Sequence, residues 1–362
     1  LQVYRTAHGK PMDGVTADLH AFAFVYLPEF IHEATDNYSN ILSQTAQTLR
    51  DLNGPLEGLA FLVERIEKEP AWVSYTNQDS WNQHAWQLAQ WRFEAQQIGA
   101  LEPRLLKIVL AELRRDLVLR EARNNSIYYS HSSYFWSEKT ADFARVAEAV
   151  LKERSDSEAA AKYIAEYFYH GLRRWDRGID ILFAFHRRGL LHDDGQSQLV
   201  GYLHARNRHG ESVPLLIGLI ERNPDQIGYR LQLMHAYFET DQTQKLLALL
   251  KETDTHFHEG GRWTEPNIAA LAASCLSNEL YTESAAYYEE LIPLHQRTQP
   301  NRGIGNGTLS NYYADLAQAY SALGKTADAV DAAAGAIVSW GADDDNRRHA
   351  LESLTGVLRN AR

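Results

Sequence analysis

Apolar residues recur along this chain at the helical period, and the pattern stops and restarts many times. From about Thr16 onward they fall mostly at i, i+3, i+4 and i+7, the spacing that lines one face of an α-helix. In ADFARVAEAVLKER, Phe143, Val146, Ala147, Val150 and Leu151 share a face with charges opposite. A short amphipathic helix cannot bury its stripe alone, so each must pack on a neighbour. Gly, Asn-Pro, Asp-Asp and Thr-Asp punctuate the segments, and LQVYRT at the start is a rare strand candidate. The sequence therefore predicts an all-α fold. The helix after Arg154 is predicted to open with a capping box, Ser155 to Glu158, and to run through AAAKYIAEYFYHGL.

The segments also repeat one another. The clearest example is NYYADLAQAYSALGKTADAVDAAAGAIVSWG, Asn311 to Gly341. Tyr313 takes the first large apolar place, Leu316 and Ala317 a large/small pair, and Tyr320 an aromatic place before Gly324. Ala329, Ala333 and Ala336 give the second helix a small face. Small residues let paired helices approach, large ones fill the space between pairs, and glycine relieves the turn. Weaker copies place Leu271, Ala272, Cys275, Ser284, Tyr288 and Leu291 on the same template. Leu233, Met234, Tyr237, Leu246 and Leu250 form another. Tyr202, Leu203, Gly210, Leu215 and Leu219 precede Asn223-Pro224 in a third, and Ile164, Ala165 and Phe168 belong to a fourth.

These residues resemble the tetratricopeptide repeat, with irregular spacing. The resemblance runs from roughly Ser155 to Arg362 and implies a right-handed α-solenoid of antiparallel helix pairs, a tetratricopeptide-like superhelix. Residues 136–362 are expected to form these repeats. RRHALESLTGVLRN, with its stripe of Ala350, Leu351, Leu354 and Leu358, would be a capping helix. Residues 1–135 are expected to be an N-terminal helical region, with degenerate repeats of the same superhelix as one reading. It would include a hairpin turning near Gly99 and Pro103, and the aromatic, serine-rich Asn124–Thr140 would break the pattern.

Composition narrows the function classes. At 44% hydrophobic and 23% charged residues the chain is an ordinary folding sequence, and no apolar run reaches membrane-spanning length. A net charge of −11, from 36 basic and 47 acidic residues, opposes general nucleic-acid binding. The single cysteine, Cys275, excludes an internal disulfide and a cysteine zinc site. With no leader visible, it favours a reducing, cytoplasmic setting. The Leu1 start suggests processing or excision from a longer protein.

Four stretches carry residue types suited to chemistry. THFHEGGRW, Thr255 to Trp263, reads as a polar loop between a helix ending near Lys251 and one starting near Pro266. Its metal reading would need His256, His258 and Glu259, but no H-E-x-x-H accompanies them. NRGIGNGTLSN carries Gly303, Gly305 and Gly307 before a helix, without a Walker lysine or Rossmann unit, and reads as a linker. YYSHSSYF lacks the orienting acid of a triad, and Tyr128, Tyr129, Tyr134, Phe135 and Trp136 read as packing. The arginine- and histidine-rich run 170–208 reads as solvated faces and pairs such as Arg177 with Asp180. Its functional alternative is a patch for an acidic or phosphorylated partner.

In the tetratricopeptide family the first helix of each pair lines the concave groove. The resemblance places there Tyr163, Glu166, Tyr169 and His170, then His204, Asn207 and Arg208, then Gln232, His235 and Phe238, and later Asp315 and Gln318. Glu166 stands where the family's carboxylate clamp has Asn, which argues against a chaperone C-terminus as ligand. The expectation is a non-catalytic scaffold or adaptor that binds a protein or peptide in the groove, with no cofactor, metal or catalytic residue. One alternative is a helical-repeat enzyme or a small-ligand or metal-binding domain. Another is a structural segment of a larger protein.

Overall fold

Between Arg173 and Gly324 the chain reverses direction by one recurring device. The computed structural model describes residues 35–68, 91, 98–123, 137–299, 307–339, 348, 351–352 and 355–356. Two units divide the chain, Leu1–Gly195 and Gln196–Arg362. Among the described residues no strand occurs; LQVYRT, the 135/136 boundary, the Asn124–Trp136 stretch, Gly303, Gly305 and most of the expected capping helix lie outside them.

The first unit contains α1 (Thr35–Asn53), α2 (Pro55–Lys68), α3 (Leu101–Arg123), α4 (Thr140–Glu153), α5 (Glu158–Glu166) and α6 (Trp175–Arg187). Ala46 and Leu49 of α1 are buried, as are Leu59 and Leu62 of α2 and Trp91. Arg104 ties α3 to Glu67 of α2, and Arg114 ties it to Glu153 of α4 at 2.6 Å. Such exposed pairs contribute little energy. On α4, Phe143, Ala147 and Val150 are buried as the period predicts. Ala144 completes the buried face, while Val146 and Leu151 are half-buried.

The predicted capping box is replaced by a simpler cap. Ser157, not Ser155, is the N-cap of α5, and its Oγ accepts from the Ala160 N–H at 3.2 Å. The Ser155 carbonyl accepts from Arg188, and Glu158 reaches His192 instead of the helix end. Arg177 is also redirected. It makes a two-pronged pair with Glu148 at 2.7 and 2.8 Å, and Asp180, the expected partner, adds only a weaker attraction.

Further helices are α7 (Asp193–His204), α8 (His209–Arg222), α9 (Ile227–Glu239) and α10 (Thr243–Glu259), followed by α11 (Glu265–Ser277), α12 (Tyr281–Thr298), α13 (Gly307–Ala322) and α14 (Thr326–Ser339). Gly189, Asn207, Asp241, Gly261, Glu279 and Gly324 each end a helix with φ between 55° and 72°. After each, the next N–H bonds to the carbonyl five residues before it, at 2.8–3.0 Å, the Schellman closure that satisfies terminal carbonyls. Arg173 (φ 52°) closes α5 one residue late, since the π-helical turn Tyr167–Gly171 intervenes and Arg174 N–H reaches Phe168.

The device makes the repeat measurable. Arg173, Asn207 and Asp241 are 34 residues apart at each step; Glu279 follows after 38 and Gly324 after 45. Irregular spacing is therefore local. Helix α10 has 17 residues against 14 for α8, and these three, with one more in the turn that follows, account for the 38.

Packing follows the template. In the second unit Leu203, Leu215, Leu219, Leu233, Met234, Leu246, Leu271, Ala272 and Tyr288 are all buried. At the clearest repeat Ala317, Ala329 and Ala333 are fully buried beside Leu316, with Tyr313 and Tyr320 packed at the edge. Ser284 Oγ donates to the Ala272 carbonyl and Ser310 Oγ to that of Ala336, so these buried hydroxyls are satisfied. Within the second unit the described helices α8 to α14 follow one another as tetratricopeptide-like antiparallel pairs.

Candidate partner-binding surface

The sequence-predicted wall residues separate by burial. In the first unit Tyr163 and Tyr169 are 5% and 6% exposed and pack inward, Glu166 is half-buried and His170 is exposed. His170 sets its ring edge-on to Tyr169 at 4.8 Å, and partial burial lowers its pKa below the ordinary imidazole value. The π turn inserts one residue beyond the regular period at this point, which shifts the face that Tyr169 and His170 present.

In the second unit Gln232 is exposed, and His235 and Phe238 are half-buried, along one side of α9. Leu233, Met234 and Tyr237 on its other side enter the core. Asn207 lies in the α7–α8 turn, and Arg208 pairs with Glu211 at 2.6 and 2.9 Å. Asp315 accepts from the Tyr288 hydroxyl at 2.7 Å, while Gln318 is exposed.

Two wall histidines, distant in sequence, are brought together. The ring centroids of His204 and His235 are 6.0 Å apart, and His209 lies 4.8 Å from the first and 5.2 Å from the second. Ser212 Oγ donates to the His209 carbonyl at 2.7 Å. Its one proton being used, Oγ accepts from His204 Nε2–H at 2.8 Å, which fixes that tautomer. Burial first, then the His209 and His235 rings, hold His204 down to about 4. His209 is 6% exposed and its buried Nδ1 has no hydrogen-bond partner. Its pKa is lowered by burial and by His235, with Glu239 opposing. His235 Nδ1 lies 3.2 Å from the buried Asn278 Oδ1.

THFHEGGRW is helical through Glu259 rather than a loop from Lys251 onward. The His256 and Arg262 side chains converge on Asp225 at 3.0 and 2.5 Å. His258 stacks on Trp263 at 3.7 Å, and Trp263 Nε1 donates to Glu290 at 2.6 Å. These side chains fasten α10 to neighbouring segments. Among the described residues no three His, Cys, Asp or Glu side chains are placed to share a metal ion, and no helix is long and apolar enough to cross a membrane.

A cleft of about 410 Å³ that the residue pattern does not foretell is lined by Ile217 and Ile220 of α8, Tyr237 of α9 and Ala248 of α10, with Glu221 and Glu252 among its polar residues. Its signal was the 40% exposed Ile217, an apolar residue outside the repeat template.

No family model matches this chain, and no curated protein matches it. Among solved structures it is similar to the "P58(IPK) TPR Domain", at 12% identity over 99% of this chain and 96% of that one. The TM-score of 0.24 is too low for that likeness to bear on the fold, which rests on the helix pairs and their turns.

Proposed function

We propose that this chain is a non-catalytic scaffold that binds a protein or peptide through the first-helix face of its second unit. The observation that carries the reading is α9. Its core side is filled by Leu233, Met234 and Tyr237, while Gln232, His235 and Phe238 stand three residues apart on a side the core does not use. Half-buried aromatic and imidazole rings on a packed helix suit recognition of an extended or helical segment, since little side-chain freedom is lost on contact. His204, Asn207 and Arg208 extend the proposed surface toward the preceding pair. Glu166 and His170 would be its counterparts in the first unit, backed by the inward-packed Tyr163 and Tyr169. Helical repeats bind far more often than they catalyse.

The test is site-specific photocrosslinking in native lysate, with a photoreactive residue at Gln232 and, as a control, at the exposed Val330 of α14. The reading expects a discrete adduct from position 232 that is absent from 330 and lost in a folded His235→Ala/Phe238→Ser background. Adducts equal at both positions, or unchanged in that background, would remove the partner from this face.

A further inference from the structure

Three imidazoles from three helices meet at one junction, His209 buried and His204 and His235 half-buried. His204 ends α7, His209 opens α8 and His235 lies near the end of α9. Their centroids are 4.8 to 6.0 Å apart, so a charge on one lies close to the other two. His209 is the worst placed to carry it. It occupies the first residue of a helix, where the backbone dipole is positive, and its buried Nδ1 has no hydrogen-bond partner.

The other polar groups at the junction compensate only in part, Glu239 opposing the depression of His209. On α8, Glu211 is already held by Arg208 of the α7–α8 turn. Ser212 spends its proton on the His209 carbonyl, and Asn278, at the end of α11, is neutral. On α9, Glu239 approaches His235 Nε2 only to 4.0 Å. The packed arrangement is therefore that in which His204 and His209 are uncharged.

We propose that this junction is an acid-released latch: proton uptake by the cluster parts α9 from the α7–α8 turn while α11–α14 stay closed. The sign follows from the depressed folded values of His204 and His209. An opened junction binds more protons than a closed one, so closure is favoured at neutral pH. It is lost as pH falls from the free-imidazole value, about 6.5, toward the folded value. The latch stands independently of partner binding, although its release would also rearrange the face that carries His235.

The experiment is amide hydrogen exchange on the full chain at about pH 7.5 and about pH 5, either side of the free-imidazole value, corrected for intrinsic exchange. The latch predicts that protection in α7, the first turn of α8, and α9 falls roughly tenfold or more at acid pH, while α11–α14 change by less than about twofold. A His204→Gln/His209→Asn/His235→Asn variant should lose this selectivity. Should that variant not fold, Glu239→Gln replaces it. Glu239 is exposed, and removing the facing anion should enlarge the selective acid loss. Loss spread evenly over α11–α14, no acid dependence, or the same selective loss without the histidines would each overturn the proposal, as would unchanged behaviour of Glu239→Gln.

Discussion

His295 Nδ1 lies 2.5 Å from Glu265 Oε1, with His295 only 1% exposed. The contact joins the last turn of α12 to the first residue of α11. The second carboxylate oxygen accepts from Thr298 Oγ1 at 3.1 Å, so one glutamate closes the open end of the pair.

His295→Ala should therefore destabilise the second unit by about 2–3 kcal/mol, because it leaves a partly buried carboxylate without its main donor. Urea denaturation followed by tryptophan fluorescence would read this as a lower midpoint. An unchanged midpoint would show that the contact contributes nothing net.

The recurring turn makes a prediction of opposite sign. Glu279 sits at φ 59°, where a side chain costs about 1–2 kcal/mol and glycine costs little. Glu279→Gly should raise the melting temperature, with a net gain of about 0.5–1 kcal/mol after the added freedom of the unfolded chain. Gly324→Ala, at φ 72°, should lower it by a similar amount. A fall on Glu279→Gly would mean that the glutamate side chain offsets its own strain.

Close approach can be probed with a pair of alanines. A Cβ at Gly178 would sit 2.8 Å from the Ala165 carbonyl oxygen and 2.9 Å from Tyr169 Cβ, whereas one at Gly228 would meet nothing within 4 Å. Gly178→Ala should force α6 away from α5 and cost about 1–3 kcal/mol. Gly228→Ala should be neutral or stabilise α9 by up to about 1 kcal/mol. Parallel thermal melts would expose a failure if the two variants behaved alike.

Cys275 reports the integrity of the second unit. Burial, then Glu283, pushes its thiol up to about 12, so it should resist a thiol reagent at mildly alkaline pH until the chain unfolds. The folded value is raised, so its contribution to stability is complete below the unfolded value, about 8.5. That contribution declines as pH rises through about 12. Fast labelling of the native chain would place Cys275 on an opening path.

Much of this was legible in residue types. The template positions at Leu233, Leu271, Ala317 and Ala333 are buried because a large/small alternation admits few other uses. Asn207 and Asp241 even stand where a left-handed residue was required, though a glycine-seeking eye passes over them. Less legible were choices between near-equivalent groups. Two serines flank Asp156, and only the three-dimensional path selects Ser157 as the cap. THFHE looked like loop because its polar residues serve neighbours rather than a core; Asp225 and Glu290, which hold the flanking His256 and Trp263, are remote in sequence. The histidine junction was half visible. His204 and His235 stood out as first-helix residues, but His209 belonged to a second helix and only folding joined it to them.

The π turn at Tyr167–Gly171 has a consequence for length variation. Removing one residue from an α-helix rotates everything beyond it by about 100° and brings the wrong side chains inward. Here Arg174 N–H reaches back six residues to Phe168, against five at the six other such turns. The segment already holds a surplus residue. Deleting Gly171 would convert the bulge to regular helix and restore the common closure, leaving α6 in phase. The same deletion inside α9 would misdirect every core residue after it. The first helix of this pair carries its own slack, and an alignment gap would be tolerated there.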